Sequence, residues 1–436
     1  MHAKNEKPYY GWYIVVIASF ITLLTVGFRM GIGPFVKPIM KNLAMSRTDI
    51  SLIVAISSIV YGLGMPIAGF LLKRYSTRFV LISGVLIVCG SLFWAVSARD
   101  IPSFLLSFGI VLSLGLSFLS PVALTPIISR WFIEQRGRAL FYLSTGSMAG
   151  IAIMTPLETI LIQGIGWHET LLLFAGLFVV IVVPCAIFVM RDQIPAGADS
   201  SPEATTTSSQ VTTQPDLAIT WRDAVKSRAY WQIVIGLFAC GFSMNLLGAH
   251  AVPMLIDHHY EPTTASFGIG LIGIVAILGT LMLGSIADRY PRKNFLAMIY
   301  FVRGFGFLGL VFAVAPWQLY VVAASAGLVW AGSTAMSSAI LSDLYGVQFL
   351  GLLYGWAYFG HQIGGGIGSF LGGWGYDTFG THFFAFGLSA ALLLIAGWVS
   401  YQLPSRPTTK FGQTPDPFDP ALTQVEKCPP SRTAAP

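Results

Sequence analysis

The sequence GSIADRYPRK, Gly284 to Lys293, joins two long apolar stretches and indicates how the whole chain is organised. A polar turn this short between two membrane-length stretches must join antiparallel helices at one face of a bilayer. The sequence GFLLKRYSTR, Gly69 to Arg78, aligns with it without a gap at an offset of 215 residues, so that Arg74 matches Arg289. Because this offset is nearly half of the 436 residues, we predict a tandem duplication with both copies in the same orientation.

The composition excludes a soluble globular protein. Hydrophobic residues make up 55% of the chain and charged residues only 10%, whereas charged residues approach about a quarter of a soluble domain. Twelve apolar runs of about 20 residues are each long enough for a spanning helix. The sequence therefore predicts an all-α membrane protein with twelve transmembrane helices. The runs cover approximately 11–33, 50–72, 79–97, 102–126, 139–164, 169–190, 230–256, 265–287, 294–314, 317–342, 348–374 and 380–402.

The distribution of basic residues predicts the orientation in the membrane. The chain has 25 Lys and Arg against 19 Asp and Glu, an excess that alone would suggest a nucleic-acid partner. With the N-terminus in the cytoplasm, however, 19 of the 25 lie in the tails and inner loops. This is the positive-inside pattern, so we expect both termini in the cytoplasm, a multi-pass chain in the cell (inner) membrane and no nucleic acid. The outer loops then hold Lys37, Lys41, Arg47 and Arg99.

The duplication and a change in composition divide the chain. Residues 1–190 and 229–403 each contain six of the predicted spans and read as two six-helix bundles. Residues 191–228 form a cytoplasmic linker, predicted to be partly disordered because Pro195 to Pro215 is rich in Ser, Thr, Pro, Ala and Gln, with a short helix from Trp221 to Arg228. Residues 404–436 are Pro-rich and unpatterned and are predicted to be a disordered cytoplasmic tail.

Three ionisable residues within the predicted spans are candidates for function. An Arg at the centre of a span costs roughly 2.5–3.5 kcal/mol, so Arg29 and Arg303 should face protein or water. The alternative for Arg29 is a side chain that reaches the outer surface. Glu158 in the fifth span is a candidate proton carrier. Its alternative is structural, because Pro156 frees backbone donors that this carboxylate can accept from.

The second half carries most of the remaining polar residues inside spans. In the eleventh span Tyr354, Tyr358 and His361 recur at spacings of four and three residues, which places them on one helical face. Asn245 and His250 lie in the seventh span. The competing interpretation for each His is a core residue that merely satisfies its hydrogen bonds. We predict a pathway role for His361, as a substrate ligand and a second proton carrier.

Several function classes lack their sequence signals. There is no Gly-x4-Gly-Lys-Ser/Thr motif for ATP, so transport energy would come from an ion or solute gradient. No nucleophile–base pair or metal-ligand spacing is evident, and the four cysteines show no CxxC spacing. We therefore expect no enzyme activity, no cofactor and no metal site. A substrate sensor would need a signalling domain, which the predicted tail does not offer.

The turn at Gly284 resembles the inter-helix signature of the major facilitator superfamily. In that resemblance Asp288 docks against the N-terminus of a helix in the other bundle, and the basic residues bind inner carbonyls and anionic lipid. The first copy departs from the pattern, because Lys73 stands at the acidic position. The residues that the resemblance assigns to a gating latch are Gly284, Asp288, Arg289, Lys293, Gly69, Arg74 and Arg138.

Shorter motifs resemble one group within that superfamily. Trp131 to Gly150 is similar to the fifth-helix signature of monocarboxylate-transporter-like proteins. Tyr10-Gly11-Trp12 and Gly360-His361-Gln362 are similar to bacterial members, including the oxalate:formate antiporter type. Animal lactate carriers of the group place an Asp and an Arg within the eighth helix, whereas Ile274 to Leu283 is uncharged here. Any substrate cation must therefore come from Arg29 or Arg303.

Together these observations predict a secondary transporter that moves a small organic anion, most simply a monocarboxylate, by alternating access. Coupling would be to a proton or a counter-anion, and membrane lipids would be its other partners. The alternative is a proton-driven exporter of amphiphilic compounds, in which both arginines serve structure. The predicted substrate-binding residues are Arg29, Arg303, His361, Tyr358, Tyr354, Asn245 and His250, and the predicted proton carriers are Glu158 and His361.

Overall fold

The structure is a computed structural model that describes residues 9–132, 136–192, 221–287, 291–313, 315–330, 332–345 and 347–404. Regular structure within these ranges is helical, with no strand. Two π-helical segments, Leu105–Val111 and Phe178–Val182, interrupt the α-helices. The α-helices are α1 Tyr10–Met30, α2 Gly33–Leu43, α3 Arg47–Arg74, α4 Thr77–Ser97, α5 Ile101–Phe104, α6 Leu112–Phe118, α7 Pro121–Trp131, α8 Arg136–Ile165, α9 Trp167–Leu177, α10 Val183–Phe188, α11 Trp221–Lys226, α12 Arg228–Asp257, α13 Pro262–Ala287, α14 Arg292–Phe312, α15 Pro316–Leu328, α16 Gly332–Tyr345, α17 Val347–Phe379 and α18 Phe383–Tyr401.

The described ranges contain eleven helical stretches that are long and apolar enough to cross a bilayer. Helix α17 is not among them, since its many glycines and polar side chains lower its hydropathy. Its 33 residues nevertheless extend about 50 Å, which exceeds the hydrocarbon thickness. It packs along α12 on one side and along α3 on the other.

Serine side chains define where several helices begin. The hydroxyl of Ser46 accepts a hydrogen bond from the backbone N–H of Asp49, and the Asp49 carboxylate accepts one from the Ser46 N–H. This reciprocal pair is a capping box, which satisfies N–H groups at the start of α3 that have no helical partner. Single serine caps begin α4, α7 and α12; they are Ser76, Ser120 and Ser227.

Buried apolar side chains form two large clusters. One is built from residues between Ile14 and Met190, joined by Ala249. The other is built from residues between Ala224 and Leu403, joined by Met148 and Ile151. We refer to residues 9–192 as the first half and residues 221–404 as the second half.

Small residues allow close helix contacts inside the first half. A Cβ atom added to Gly150 would lie 2.5 Å from the carbonyl oxygen of Leu23, and one on Gly27 would lie 2.8 Å from that of Gly150. A Cβ on Gly146 would collide with the backbone of Ser19. The spacing of Gly146 and Gly150 predicts a close-contact face on α8, and the structure shows α1 packed on that face.

Helices α3 and α17 form a contact between the halves that opens along its length. At one end a Cβ on Gly373 would collide with Arg47 and Ser51, and midway a Cβ on Gly62 would lie 2.9 Å from Gln362. One heptad further on, a Cβ on Gly69 of α3 or on Gly355 of α17 would meet no atom of the described residues within 4 Å. Positions seven residues apart share a helical face, so the two helices diverge. We call the tight end the Asp257 end and the open one the Arg74 end.

A second contact between the halves, formed by α8 and α13, is also tight in one part and open nearer the Arg74 end. Gly273 of α13 lies against Met148 and Ala152 of α8. Nearer the Arg74 end the helices part, leaving an apolar cavity of about 610 Å³. Among its lining residues are Trp12, Phe20, Tyr142, Thr145 and Ile277. The halves are therefore closed against each other at the Asp257 end and separated toward the Arg74 end.

Candidate functional site

Arg29 lies near the end of α1, at the junction of the two halves. Its Nη2 atom donates to Ser58 Oγ, Asn245 Oδ1 and Gln362 Oε1, each at 3.3 Å. The guanidinium carbon is 4.2 Å from the centre of the Tyr61 ring. Hydrogen bonds of 3.3 Å are longer than the usual 2.9–3.0 Å, so this guanidinium is held loosely.

No carboxylate of the described residues lies within ion-pair distance of Arg29, and its other two nitrogens make no hydrogen bond with those residues. The side chain is half-buried and borders a cavity of about 30 Å³ together with Ser58 and Asn245. That volume holds about one water molecule. Arg29 thus borders a small cavity between the halves and has donors that no described residue uses.

Arg303 has different surroundings, although it too lies inside a predicted span. It is fully buried, at 0% exposure. Nη2 donates to Ser243 Oγ at 2.7 Å, and Nη1 lies 3.1 Å from Cys240 Sγ and 3.2 Å from Ser333 Oγ. The guanidinium also stacks over Trp330 at 4.7 Å. Every one of these partners belongs to the second half.

The Tyr358–His361 pair lies between the two guanidinium groups. The two rings stack in parallel, with centres 4.8 Å apart and planes 5° apart. Tyr358 is within electrostatic range of both Arg29 and Cys240. His361 is 3% exposed, and neither ring nitrogen makes a hydrogen bond of ordinary geometry with a described residue. The ring also lies beside the Cys240 thiol.

The stripe predicted for the eleventh span is present on α17. The Tyr354 ring lies 5.8 Å from that of Tyr358, which in turn stacks on His361. The three side chains thus follow one helical face, as their spacing predicts. Together with Cys240 they extend a polar strip from Arg29 toward Arg303.

Glu158 is fully buried in α8, and neither carboxylate oxygen has a hydrogen-bond partner among the described residues. The carboxylate lies against Gly31, where α1 ends, so closely that a Cβ there would collide with it. A charged carboxylate in these surroundings would lack compensation, which favours the protonated, neutral form.

His250 lies apart from Arg29 and has partners of its own. It is 1% exposed, and its Nε2 atom is 2.8 Å from the carbonyl oxygen of Ser369 and 3.3 Å from Ser51 Oγ. Its ring fills the space beside Gly372. These Nε2 contacts tie α12 to α17 and α3, which favours a structural role for this histidine, although its Nδ1 atom has no hydrogen-bond partner among the described residues.

The predicted latch is only partly within the described residues. Asp288 and Arg289 lie outside them, as does the side chain of Arg138. Arg74 ends α3 with an exposed side chain, and Lys293 lies in the first turn of α14. Gly69 has an open face, and Gly284 lies in the last turn of α13. The latch stays a prediction.

Sequence reasoning missed several side chains at the junction. Ser58, Tyr61 and Gln362 all contact Arg29 but were not predicted as site residues. Ser58 and Gln362 are polar residues in membrane-length helices, and that signal could have found them. Tyr61 gave no signal, because an aromatic residue is ordinary in an apolar span.

A family model described as Major Facilitator Superfamily matches residues 18–324 and 251–430. The chain belongs to the Major Facilitator Superfamily. It is 24% identical over 385 residues to "Uncharacterized MFS-type transporter YcxA" of Bacillus subtilis (strain 168), covering 87% of this chain and 91% of that one. A solved bacterial homolog of the human lysosomal transporter Spinster, in an inward-facing and occupied conformation, shares the fold with a TM-score of 0.69 at 15% identity, over 91% of this chain and 97% of that one.

Other superfamily relatives have named substrates. Monocarboxylate transporter 13 of Bos taurus is 22% identical over 410 residues, covering 92% of each chain. The oxalate:formate antiporter of Oxalobacter formigenes is 20% identical over 402 residues, covering 88% of this chain and 91% of the antiporter. These matches confirm the predicted resemblance to both groups. The chain is a multi-pass membrane transporter of the Major Facilitator Superfamily.

Proposed function

We propose that this transporter moves a small organic anion, most simply a monocarboxylate, by alternating access between its two halves. The observation that carries the proposal is Arg29, a half-buried guanidinium at the junction, with donors that no described residue uses. A guanidinium binds a carboxylate through two parallel hydrogen bonds. Named relatives that carry monocarboxylates, or exchange oxalate for formate, support this substrate class.

The proposed architecture has twelve spanning helices in two bundles, residues 1–190 and 229–403. Helix α17 is the twelfth span, in addition to the eleven apolar stretches, and its length supports this. The bias of basic residues supports cytoplasmic termini, which places the Arg74 end inside and the Asp257 end outside. In this topology the structure is closed to the outside.

The geometry of the junction supports a site that the halves open and close. A cavity of about 30 Å³ beside Arg29 cannot hold an organic anion, so the halves must separate further to admit one. Asn245 and Gln362 come from the second half, whereas Arg29 and Ser58 come from the first. A rocking motion that separates the halves would expose this guanidinium alternately to each side.

Arg303 contributes to the proposed site indirectly. It lies beyond the Tyr358–His361 pair and is enclosed by its own half, so it would add positive potential and hold Cys240 and Ser243 in place. For coupling, Glu158 is a buried group without a hydrogen-bond partner among the described residues, and His361 is a buried group that lies beside the Cys240 thiol, so either could take up a proton. The proposed latch residues at the Arg74 end would break contact when that end opens.

The experiment is uptake of a radiolabelled panel of monocarboxylates and dicarboxylates into proteoliposomes, with and without an imposed pH gradient. Saturable uptake that Arg29→Gln abolishes supports the proposal. Arg99→Gln is the matched control, because Arg99 is an exposed arginine outside the predicted spans. Glu158→Gln should permit exchange but remove stimulation by the pH gradient. Absence of saturable uptake of every carboxylate would refute the substrate class.

A second candidate function is proton-driven export of amphiphilic compounds. The apolar cavity of about 610 Å³ between α1, α8 and α13 favours it, because an apolar cavity of this size can hold an amphiphile. The same proteoliposomes distinguish the two functions. An exporter would move a fluorescent lipophilic cation against a proton gradient, and Arg29→Gln would leave that activity intact.

A further inference from the structure

One carboxylate joins the two halves at the Asp257 end. Asp257, the last residue of α12, lies 2.7 Å from Lys37 Nζ, 2.5 Å from Arg47 Nη2 and 2.9 Å from His382 Nε2. Lys37 and Arg47 belong to the first half, whereas Asp257 and His382 belong to the second. Separation of the halves at this end would therefore take the carboxylate away from both first-half cations.

The site that Asp257 occupies is organised by its surroundings. Arg47 is 5% exposed, and its guanidinium lies flat on the Tyr376 ring at 3.7 Å. Close by, the backbone N–H and hydroxyl of Thr48 both donate to the Asp377 carboxylate at 2.7 Å, so a second acidic group of the second half docks on the start of α3. The negative charge there is also favoured by the helix N-terminus.

The first half has no acidic partner of its own for these cations among the described residues. Asp49, the nearest acidic residue in sequence, is engaged in the capping box with Ser46. When the halves part, Lys37 and Arg47 would keep two positive charges on one surface. Such a pair attracts and binds carboxylates, because charge-assisted hydrogen bonds to a carboxylate are the strong ones.

We propose that Lys37 and Arg47 form a capture site for a solute carboxylate at the Asp257 end, and that Asp257 occupies this site in the closed state as a tethered competitor. The inference rests on the proposed organic-anion transport. Lys37 lies in α2, eight residues beyond Arg29 near the end of α1, and only Gly31 and Ile32 separate the two helices. A captured anion thus has a second cation within reach, deeper between the halves.

Capture and closure exclude each other at this site. A bound solute prevents Asp257 from returning, and the halves close again once the solute has passed to Arg29. A purely structural ion pair makes a different prediction. If Asp257 only holds the halves together, removing it or removing Lys37 weakens the same contact and changes transport in the same direction.

The experiment compares Asp257→Asn with Lys37→Gln in intact cells, by the KM of carboxylate uptake from outside. Lys37→Gln should raise KM roughly tenfold, since it removes one charge from the capture site, and Asp257→Asn should lower KM by roughly three- to tenfold, since it removes the competitor. Lys41→Gln, an exposed lysine one turn away on α2, is the matched control and should leave KM unchanged.

The outcomes separate this proposal from the one on which it rests. Carboxylate uptake with both KM values shifted in the same direction, or with neither shifted, overturns the capture site and leaves the transport function standing. Absence of carboxylate uptake by the unmodified protein overturns both. Size-exclusion profiles and cell-surface amounts of each variant verify folding, and Lys37 is partly exposed, so its loss leaves no buried group unpaired.

Discussion

Arg29 and Arg303 have the same side chain and both lie inside apolar helices, yet the structure gives them different surroundings. Arg29 has three partners at 3.3 Å, two of them from the opposite half, and it borders a cavity. Arg303 is sealed, with a partner at 2.7 Å and an aromatic ring over its face, all from its own half. The Nε atom of Arg303 also lacks a hydrogen-bond partner among the described residues, but it is enclosed. A membrane-embedded arginine is therefore available for a ligand only where unused donors belong to a side chain that borders a cavity.

The largest expected effect is the loss of Arg29. Arg29→Gln should lower kcat/KM for carboxylate uptake by about 100-fold or more, since two charge-assisted hydrogen bonds contribute about 1.5–3 kcal/mol each. Thermal stability in detergent should change little, because the lost contacts are long. If uptake survives Arg29→Gln but is abolished by Arg303→Gln, the roles assigned to the two arginines are reversed.

A larger side chain in the contact between the halves should affect the surroundings of Arg29 and not those of Arg303. A Cβ on Gly373 would collide with Arg47 and Ser51, so Gly373→Ala should hinder closure of the Asp257 end. We expect uptake to fall by about tenfold, because overpacking of a tight contact costs roughly 1–3 kcal/mol. Gly355→Ala is the control on the same helix, where no atom lies within 4 Å. Equal effects of Gly373→Ala and Gly355→Ala would exclude a steric block to closure at Gly373.

Arg303→Gln should act mainly on stability. It removes the donor to Ser243 and one of the two polar partners of Ser333 inside a closed core, which should lower the free energy of unfolding by about 1–3 kcal/mol. Carboxylate uptake per folded molecule should fall only about threefold, through the lost positive potential. Thermal melting in detergent and uptake kinetics measure the two quantities separately. An unchanged melting temperature together with a large rise in KM would show that Arg303 binds the substrate.

Two serine substitutions compare the partners of the arginines directly. Ser243→Ala removes a 2.7 Å bond to Arg303, and we expect it to lower the free energy of unfolding by about 1 kcal/mol. Ser58→Ala removes a 3.3 Å bond to Arg29 and a 3.2 Å bond to Asn245, both of them long, and should cost less than about 0.5 kcal/mol. Thermal melts of the two proteins provide the measurement. A larger loss for Ser58→Ala would show that Arg29 is the more tightly held group.

The smallest expected effect is a dependence on pH that involves neither Arg29 nor Arg303. His382 lies between α17 and α18, and burial lowers its pKa from the ordinary value, while its hydrogen bond with Asp257 partly opposes this. The closed Asp257 end thus disfavours the protonated imidazole. Acidification below about 6.5, the pKa of an exposed histidine, should therefore favour opening of this end. The charged or titratable groups facing His382 are Asp257, Arg47 and His258, and Tyr376 packs on its ring.

Hydrogen–deuterium exchange of residues 374–383, corrected for the intrinsic rate, measures this opening. Exchange should increase about two- to threefold between pH 7.5 and pH 5.5. This increase is smaller than the largest change in the opening equilibrium that the pKa shift of one histidine can cause. His382→Gln should remove the increase, whereas Arg29→Gln should retain it. An increase that persists without His382 would assign the pH response to another group.

Much of the fold was predictable from the sequence, because hydrophobic length and charge bias are summed over many residues. The apolar runs predicted the spanning stretches, and the spacing of Gly146 and Gly150 predicted a close-contact face on α8, where the structure places α1. Helix α17 is the instructive borderline case. The run 348–374 predicted it as a span, but its glycines, which serve contacts with α12 and α3, lower its hydropathy below that of the other eleven stretches.

The candidate site was predicted only in part. The ionisable residues Arg29, Arg303 and Glu158 stood out, since each is costly inside a span. Asn245 was predicted as a site residue, but its contact with Arg29 was not, and Ser58 and Gln362 were missed, because these partners are separated by up to 333 residues from the arginine that they contact. The ion pairs of Asp257 with Lys37, Arg47 and His382 were missed for the same reason. In addition, charged residues in predicted loops give no sign that they are buried.

By itself the sequence determined the membrane setting, predicted a duplication and an orientation, and singled out the short set of side chains that would need a reason to be buried. Only the tertiary structure decided which of the two arginines keeps free donors at the junction and which one is enclosed. It also decided that Asp257 of one half closes on Lys37 and Arg47 of the other. The physical reason is that a residue's type sets the cost of burying it, whereas the partners that offset the cost come from distant helices whose packing no local pattern specifies.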